Sequence, residues 1–342
     1  MNTTTRTALV LGTTGGIGGE VTLALLRRGW RVRALHRNPA SVRLPDDAHG
    51  KVEWVTGDAM KREDVAAAAR GVSTIVHAVN PPKYNNWGGL VLPMLDNTIA
   101  AARQQGARIV LPGTIYNFGT EAFPILSEYS PQQPHTRKGQ IRVEMEERLR
   151  EAATLGVRTL IVRAGDYFGP QAGNNWFAEG LLAGSRQVRR VLYPGPRELG
   201  HSWAYLPDVA ETVVRLLDIE ERLEAFAVFH FRGHWLERGV EMAETICRVA
   251  GLRAGKIFAF PWWAIRIASP FVEVFREMLE MRYLWNAPAE LDNTKLRSVI
   301  GAEPHTPLEE AVTRVLASRA AASARERTGA PQPVTSLGES AH

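Results

Sequence analysis

The chain has 342 residues and is 45% apolar, enough to bury a large core. Its 41 basic and 36 acidic residues leave a net charge of +5 spread over scattered arginines. That field is too diffuse for a nucleic-acid partner, and the nearest thing to a basic patch, Arg186, Arg189 and Arg190, is short. A single cysteine, Cys247, set in an apolar pattern, excludes a disulfide framework and a cysteine metal site, and no metal is expected. No run of eighteen apolar residues offers a membrane span, and the start from Met1 to Arg6 lacks the apolar core of a signal peptide, so the expectation is a cytoplasmic protein without membrane insertion.

The apolar run Ala8 to Leu11 feeds Gly12-Thr13-Thr14-Gly15-Gly16-Ile17-Gly18, and Val21, Leu23, Leu25 and Leu26 then recur at helical spacing. Strand, glycine turn and helix in that order are the context a dinucleotide motif requires. Glycine lets the backbone approach a pyrophosphate, whose charge meets the free N–H groups of the helix start. Gly12, Thr14, Gly15, Gly16, Ile17 and Gly18 are therefore candidate cofactor contacts.

A second strand, Trp30 to Leu35, ends in His36-Arg37-Asn38-Pro39. Its end faces the adenosine ribose in folds of this kind, where an acidic residue selects NAD and an arginine accommodates a 2′-phosphate. Arg37, with Arg33 or His36, favours NADP (NADPH) over NAD. A third strand, residues 52–58, ends at Asp58 beside Ala59, and a helix runs from Asp64 to Arg70. The fourth strand, Thr74 to His77, runs into Ala78, Val79 and Asn80, which are placed to line the cofactor groove. The loop Pro81 to Gly89, with Tyr84 and Trp87, suits either a flap or a surface loop. A helix from Leu90 to Gln105 precedes a fifth strand, Arg108 to Pro112, which opens into residues 113–119. Alternating strands and helices predict an α/β fold, a doubly wound parallel sheet of Rossmann type with ligands beyond the carboxyl ends of its strands.

Five marks in order resemble the extended and atypical short-chain dehydrogenases/reductases, the epimerase/dehydratase-like group, over roughly residues 7–315. They are Gly12-x-x-Gly15-x-x-Gly18, Gly57-Asp58, Leu111-Pro-Gly-Thr114-Ile-Tyr-Asn-Phe-Gly119, Val162-Arg163 through Gly169-Pro170, and Trp203-Ala-Tyr-Leu-Pro-Asp208-Val209-Ala210. The resemblance implies that Asp58 contacts adenine, that Thr114 hydrogen-bonds a substrate oxygen, and that Gly169-Pro170 opens the substrate lobe. It also implies a Tyr-x-x-x-Lys pair on the next helix, and there the chain departs. Counting from Thr114, Lys138 stands at the tyrosine position and Arg142 at the lysine position.

Lys138 and Arg142 are four apart on one helical face, where like charges cost about 0.2–0.5 kcal/mol. A local cost without local benefit points to a site. Repulsion from Arg142 would make the Lys138 ammonium a better proton donor while Arg142 holds the nicotinamide ribose or phosphate. The bland alternative is that both only bind cofactor phosphates or lie in solvent, and Glu146, one turn on, could neutralise Arg142. Tyr116 is a second candidate donor, and Tyr167 and His201 are candidate substrate contacts.

A helix from Asn174 to Gly184, a strand from Val188 to Tyr193, a helix beginning at Leu206 with Pro207 and Asp208 as helix-start chemistry, a strand Ala227 to Phe231 and a helix Gly239 to Ala250 continue the chain. Between Ile265 and Trp285, Ile267, Phe271, Val274, Phe275, Met278 and Met281 recur at helical spacing and read as core or interface; Arg276, Glu277, Glu280 and Arg282 take the other face. Trp262, Trp263 and Tyr283 could wall an apolar substrate pocket, and a membrane-surface reading is weaker because both charge signs are present without a basic excess.

The expected organisation is an NADP-binding domain over residues 1–170, with contributions from about 186–235. A smaller, mostly helical substrate lobe takes 171–185 and 236–319, and 320–342 form a disordered tail. The expected activity is an NADP(H)-dependent oxidoreductase reducing a carbonyl, imine or activated double bond of a hydrophobic small molecule. A non-catalytic NADP-binding sensor and an epimerase or lyase remain alternatives, and homodimer formation is left open.

Overall fold

The computed structural model describes residues 6–42, 48, 50–80, 87–173, 175–185 and 187–328. The first half alternates strand and helix: β1 (Thr7–Leu11), α1 (Gly16–Arg27), β2 (Arg31–His36), β3 (Val52–Thr56), α2 (Arg62–Ala68), β4 (Thr74–His77), α3 (Trp87–Gln105) and β5 (Arg108–Thr114). A short strand β6 (Ile125–Leu126) precedes α4 (Arg137–Thr154), β7 (Thr159–Ala164) and β8 (Asp166–Phe168). Then come β9 (Val191–Tyr193), β10 (His201–Tyr205), α5 (Leu206–Asp218), β11 (Phe226–Phe231), β12 (His234–Leu236) and α6 (Glu241–Val249). The chain closes with β13 (Ile257–Ala259), α7 (Trp262–Ala268), α8 (Glu273–Glu280), β14 (Glu290–Leu291), α9 (Thr294–Ile300) and α10 (Leu308–Thr328).

Seven strands form one parallel sheet in the order β11-β7-β5-β4-β1-β2-β3. Side chains alternate across it. On β1, Ala8 and Val10 enter one core with residues of α1 and α5, while Leu9 and Leu11 enter the other with residues of α2, α3 and α4. Burial of both faces is why these strands read as continuous apolar runs. The order reverses between β1 and β4, so the chain leaves their carboxyl ends in opposite directions and opens a crevice there. Smaller sheets, β12-β10-β8, β13-β9 and β14-β6, carry the second lobe beside that crevice, and its core contains Cys247.

Three expectations change. The 174–184 helix is a single π-helical turn, Trp176–Leu181, capped by Asn175, whose Oδ1 accepts from the Ala178 amide at 2.7 Å. The aromatic 265–285 segment is not one helix: Ser269-Pro270 ends α7, α8 follows, and Met281–Trp285 tighten into a 3₁₀ turn. Ala320 to Thr328, expected in a disordered tail, continue α10; the rest of that tail, and Tyr84 of the 81–89 loop, lie outside the described residues.

Helix α4 is tied to the sheet by a buried ion pair. Arg163 on β7 donates from Nε to Glu146 Oε1 at 3.0 Å, and its other arm bonds the second carboxylate oxygen. Both side chains are almost fully buried. Arg163 also donates to His230 Nε2 at 3.1 Å, so His230 must donate from Nδ1 to the Leu126 carbonyl at 3.0 Å. Burial and the adjacent guanidinium push the His230 pKa down to about 3, which keeps the ring neutral. Glu146 is thus engaged by Arg163 and not by Arg142, as the helical spacing had suggested. Replacing Glu146 with Ala strands a buried guanidinium; urea unfolding should show a loss of about 3–5 kcal/mol.

Candidate active site

Gly12 occupies the crevice at the end of β1. Its φ is +94°, and a Cβ there would lie 2.5 Å from the Ala78 carbonyl oxygen, so the β1 and β4 ends approach as closely as a bare backbone allows. Helix α1 starts at Gly16 with no side chain capping it and no acid in its first turn, which leaves its amide end for an anion. Gly12, Thr14, Gly15, Gly16 and Ile17 line a cavity of about 840 Å³. Gly18 does not; it packs behind the loop against Gly12.

The same cavity collects most of the other expected contacts: Arg37, Asp58, Ala59, Ala78, Val79, Asn80, Thr114, Tyr116, Lys138, Arg142 and Tyr167. Arg37 is exposed at the end of β2, beside His36. Arg33 is excluded from this role, because it pairs with Glu53 and donates to the Ala68 and Arg70 carbonyls. Asp58 turns one oxygen back to the Met60 amide at 3.0 Å, which fixes its loop. Asn80 accepts from Trp87 Nε1 at 2.6 Å, and the Trp87 ring lies 5.3 Å from the Arg142 guanidinium.

Thr136 caps α4, its hydroxyl accepting from the Gly139 amide at 3.0 Å. The absence of a side chain at Gly139 lets this first turn ride on the β5 loop, since a Cβ would stand 2.3 Å from the Tyr116 carbonyl oxygen. That contact brings Lys138 to the cavity wall beside Tyr116. Its Nζ lies 2.7 Å from Glu277 Oε2, and its amide donates to Glu280 Oε1 at 3.3 Å. An acidic pair from α8 therefore sits over the α4 cation, opposing the Arg142 repulsion that the sequence implied. One turn further, Arg142 reaches toward the Pro112 carbonyl at 3.5 Å, while its buried Nε has no hydrogen-bond partner.

Thr114 Oγ1 accepts from the Tyr116 amide at 3.3 Å. Tyr167 donates to the Gly113 carbonyl at 2.5 Å, and burial raises its phenol well above the usual range despite the nearby Arg142. A phenol so engaged is a poor proton source. His201 stands one layer back: its Nε2 is 2.8 Å from Asp166 Oδ2, and its ring stacks on Trp285 at 4.0 Å. Asp166, not His201, reaches the cavity. Trp262 donates to the Pro194 carbonyl at 2.7 Å and packs on Trp176, while Trp263 is exposed. Neither lines the cavity, nor does Tyr283, which donates to the Phe118 carbonyl at 3.2 Å; Trp176, Val274, Met278 and Met281 supply the apolar wall. Sequence reasoning missed these and Glu277, because no local pattern signals a wall or an ion pair assembled from distant segments.

Residues 12–165 match the NAD(P)H-binding family. The match covers under half of the chain, and the described residues share the Rossmann-type fold of solved epimerase structures. Over 69 residues, 20% of this chain and 18% of the relative, it is 42% identical to a 3-beta-hydroxysteroid dehydrogenase of Mycolicibacterium neoaurum. Over 182 residues, 47% of each chain, it is 26% identical to the decarboxylating sterol-4-alpha-carboxylate 3-dehydrogenase of Bos taurus. The chain thus spans at most about half the length of these curated relatives. Among solved structures it resembles a UDP-glucose 4-epimerase from Bifidobacterium longum in complex with NAD+ and UDP, with a TM-score of 0.74, 15% identity, and 93% and 98% of the two chains covered. Among the described residues, no cluster of His, Cys, Asp and Glu could hold a metal, and no helix is long and apolar enough to cross a membrane.

His77 borders the cleft at the end of β4. Thr98 Oγ1 donates to the Met94 carbonyl, so His77 Nδ1 must donate to Thr98 at 2.8 Å, leaving Nε2 as a bare acceptor. Burial first, and Arg142 second, lower its pKa from 6.5 to about 3. Unfolded chain takes up a proton here below about pH 6.5 and folded chain does not until about 3. Stability contributed by neutral His77 should therefore be present at pH 7 and fall as the pH drops through that window, by up to about 1.4 kcal/mol per pH unit. Urea midpoints from pH 7 to 4 should decline less steeply in His77→Gln than in the parent.

Proposed function

We propose that the protein is an NADP(H)-dependent oxidoreductase that reduces a carbonyl, imine or activated double bond of a hydrophobic small molecule, with Lys138 in the place of the family tyrosine. The observation that carries this reading is the meeting of Lys138, Thr114 and Tyr116 with the glycine loop in one cavity. When bound, the nicotinamide would supply the hydride. Gly12, Gly15 and Gly16 would hold its pyrophosphate against the α1 amide end, and the unpartnered Nε of Arg142 suits a ribose hydroxyl or phosphate oxygen.

For a ketone substrate, Thr114 and the Lys138 ammonium would hold the carbonyl oxygen and draw electron density toward it. On reduction of the carbonyl, its oxygen would take a proton from the Lys138 ammonium, giving the alcohol and leaving a neutral amine that recovers its proton from solvent. Glu277 keeps the ammonium aimed at the cavity between turnovers. The wall of Trp176, Met278 and Met281 suits an apolar substrate body. Similarity to sterol dehydrogenases over part of the chain supports that class.

A second reading, a nucleotide-binding regulator without turnover, is favoured by the Glu277 ion pair, which stabilises the protonated Lys138 against giving up its proton. Stoichiometric NADPH oxidation across aromatic ketones, enones and 3-ketosteroids separates the two; tight NADPH binding with no oxidation across that panel would favour the regulator. Lys138→Met should lower kcat by about 10²–10⁴-fold while NADPH affinity, followed by fluorescence, changes little. Undiminished turnover in that variant would remove Lys138 from the chemistry. Arg37→Glu should weaken NADPH at least about tenfold and leave NADH nearly unchanged, because only the 2′-phosphate is lost as a partner.

A further inference from the structure

Six of the ten large apolar side chains that the described residues leave exposed fall between Phe258 and Val274, so exposure is concentrated and not scattered. Trp263 (72% exposed) and Ile267 (68%) lie one turn apart on α7. Phe271, 89% exposed, and Val272 form the tip, and Val274 opens α8. Helices α7 and α8 pack together, so these side chains belong to one hairpin. The segment 253–282 carries five basic residues, Arg253, Lys256, Arg266, Arg276 and Arg282, against three acidic ones. Two of the acids, Glu277 and Glu280, are drawn to Lys138. Arg253, Lys256, Arg266, Arg276 and Arg282 are exposed, as is Glu273, so the exposed charge of the segment is predominantly basic. The mixed charge that weighed against a lipid surface in the sequence is thus uneven in the fold: two of the three acids face α4, and five basic residues against Glu273 alone are exposed.

We propose that the α7–α8 hairpin docks this protein on an anionic lipid bilayer. The Trp263, Ile267, Phe271 and Val272 side chains enter the headgroup boundary, and Arg266 and Arg276 meet lipid phosphates. The same hairpin also borders the cleft, through Val274 and Met278 of α8 with Met281 just after it, so a docked molecule presents its cavity beside the membrane. This goes beyond the redox reading and does not depend on it, since the readout is partition and not turnover.

Flotation of the full chain with phosphatidylcholine–phosphatidylglycerol vesicles at low ionic strength should carry protein upward, more than with phosphatidylcholine alone. An Ile267→Asp/Phe271→Asp variant should partition at least about tenfold more weakly, with an unchanged circular-dichroism spectrum and thermal midpoint as the check on folding. Arg266→Ser/Arg276→Ser, which keeps the apolar tip, should lose only the salt-sensitive part. Absence of parental flotation, or equal flotation of the Asp variant, overturns the proposal. So does a concentration-dependent dimer in sedimentation that the Asp variant abolishes without any vesicle binding, which would assign the face to a second copy.

Discussion

The candidate site depends on the buried contact between Glu146 and Arg163. It joins α4, the helix that carries Lys138 and Arg142, to the centre of the parallel sheet, and through His230 it extends to β11 and the β6 loop. Two charges removed from water persist only when both are satisfied, and here a bidentate guanidinium, a Gln132 amide and a neutral imidazole complete the set. Lys138 lies about two helical turns from this anchor and Arg142 about one, so their reach into the cleft is set by a fixed point in the core.

The cleft then divides by chemistry. At the β1 and β4 ends it is backbone, glycine and an uncapped helix start, suited to an anion and indifferent to side-chain identity. Along α4 it is cationic, and on the α8 side it is apolar except for Glu277. A charged nucleotide and a largely apolar second molecule can lie against one another there without either covering the other's preferred surface.

Much of this was legible in the sequence because it follows from local rules. The strand-glycine-helix order, the two-sided apolar strands and the end of β2 at Arg37 depend only on neighbours along the chain. That Lys138 lies on the helix bordering the cleft was visible by counting from Thr114. Its partner was not, because Glu277 arrives from a distant helix and looks in the sequence like a solvated face. Spacing also placed Glu146 with Arg142, whereas Arg163, invisible to a helical count, holds it. The aromatic 258–285 stretch misled in a different way: periodicity reports which residues share a helix face but not whether another element covers it, and Pro270 divided the expected helix so that Ile267 and Phe271 face outward.

The Glu277 contact has a thermodynamic corollary. An oxygen that displaces Glu277 from the Lys138 ammonium also removes a carboxylate that holds α8 to α4. Occupancy of the cleft and attachment of the hairpin are therefore linked functions. Whatever factor a cleft ligand applies to the hairpin's detachment, detachment of the hairpin applies to the ligand's affinity in equal measure.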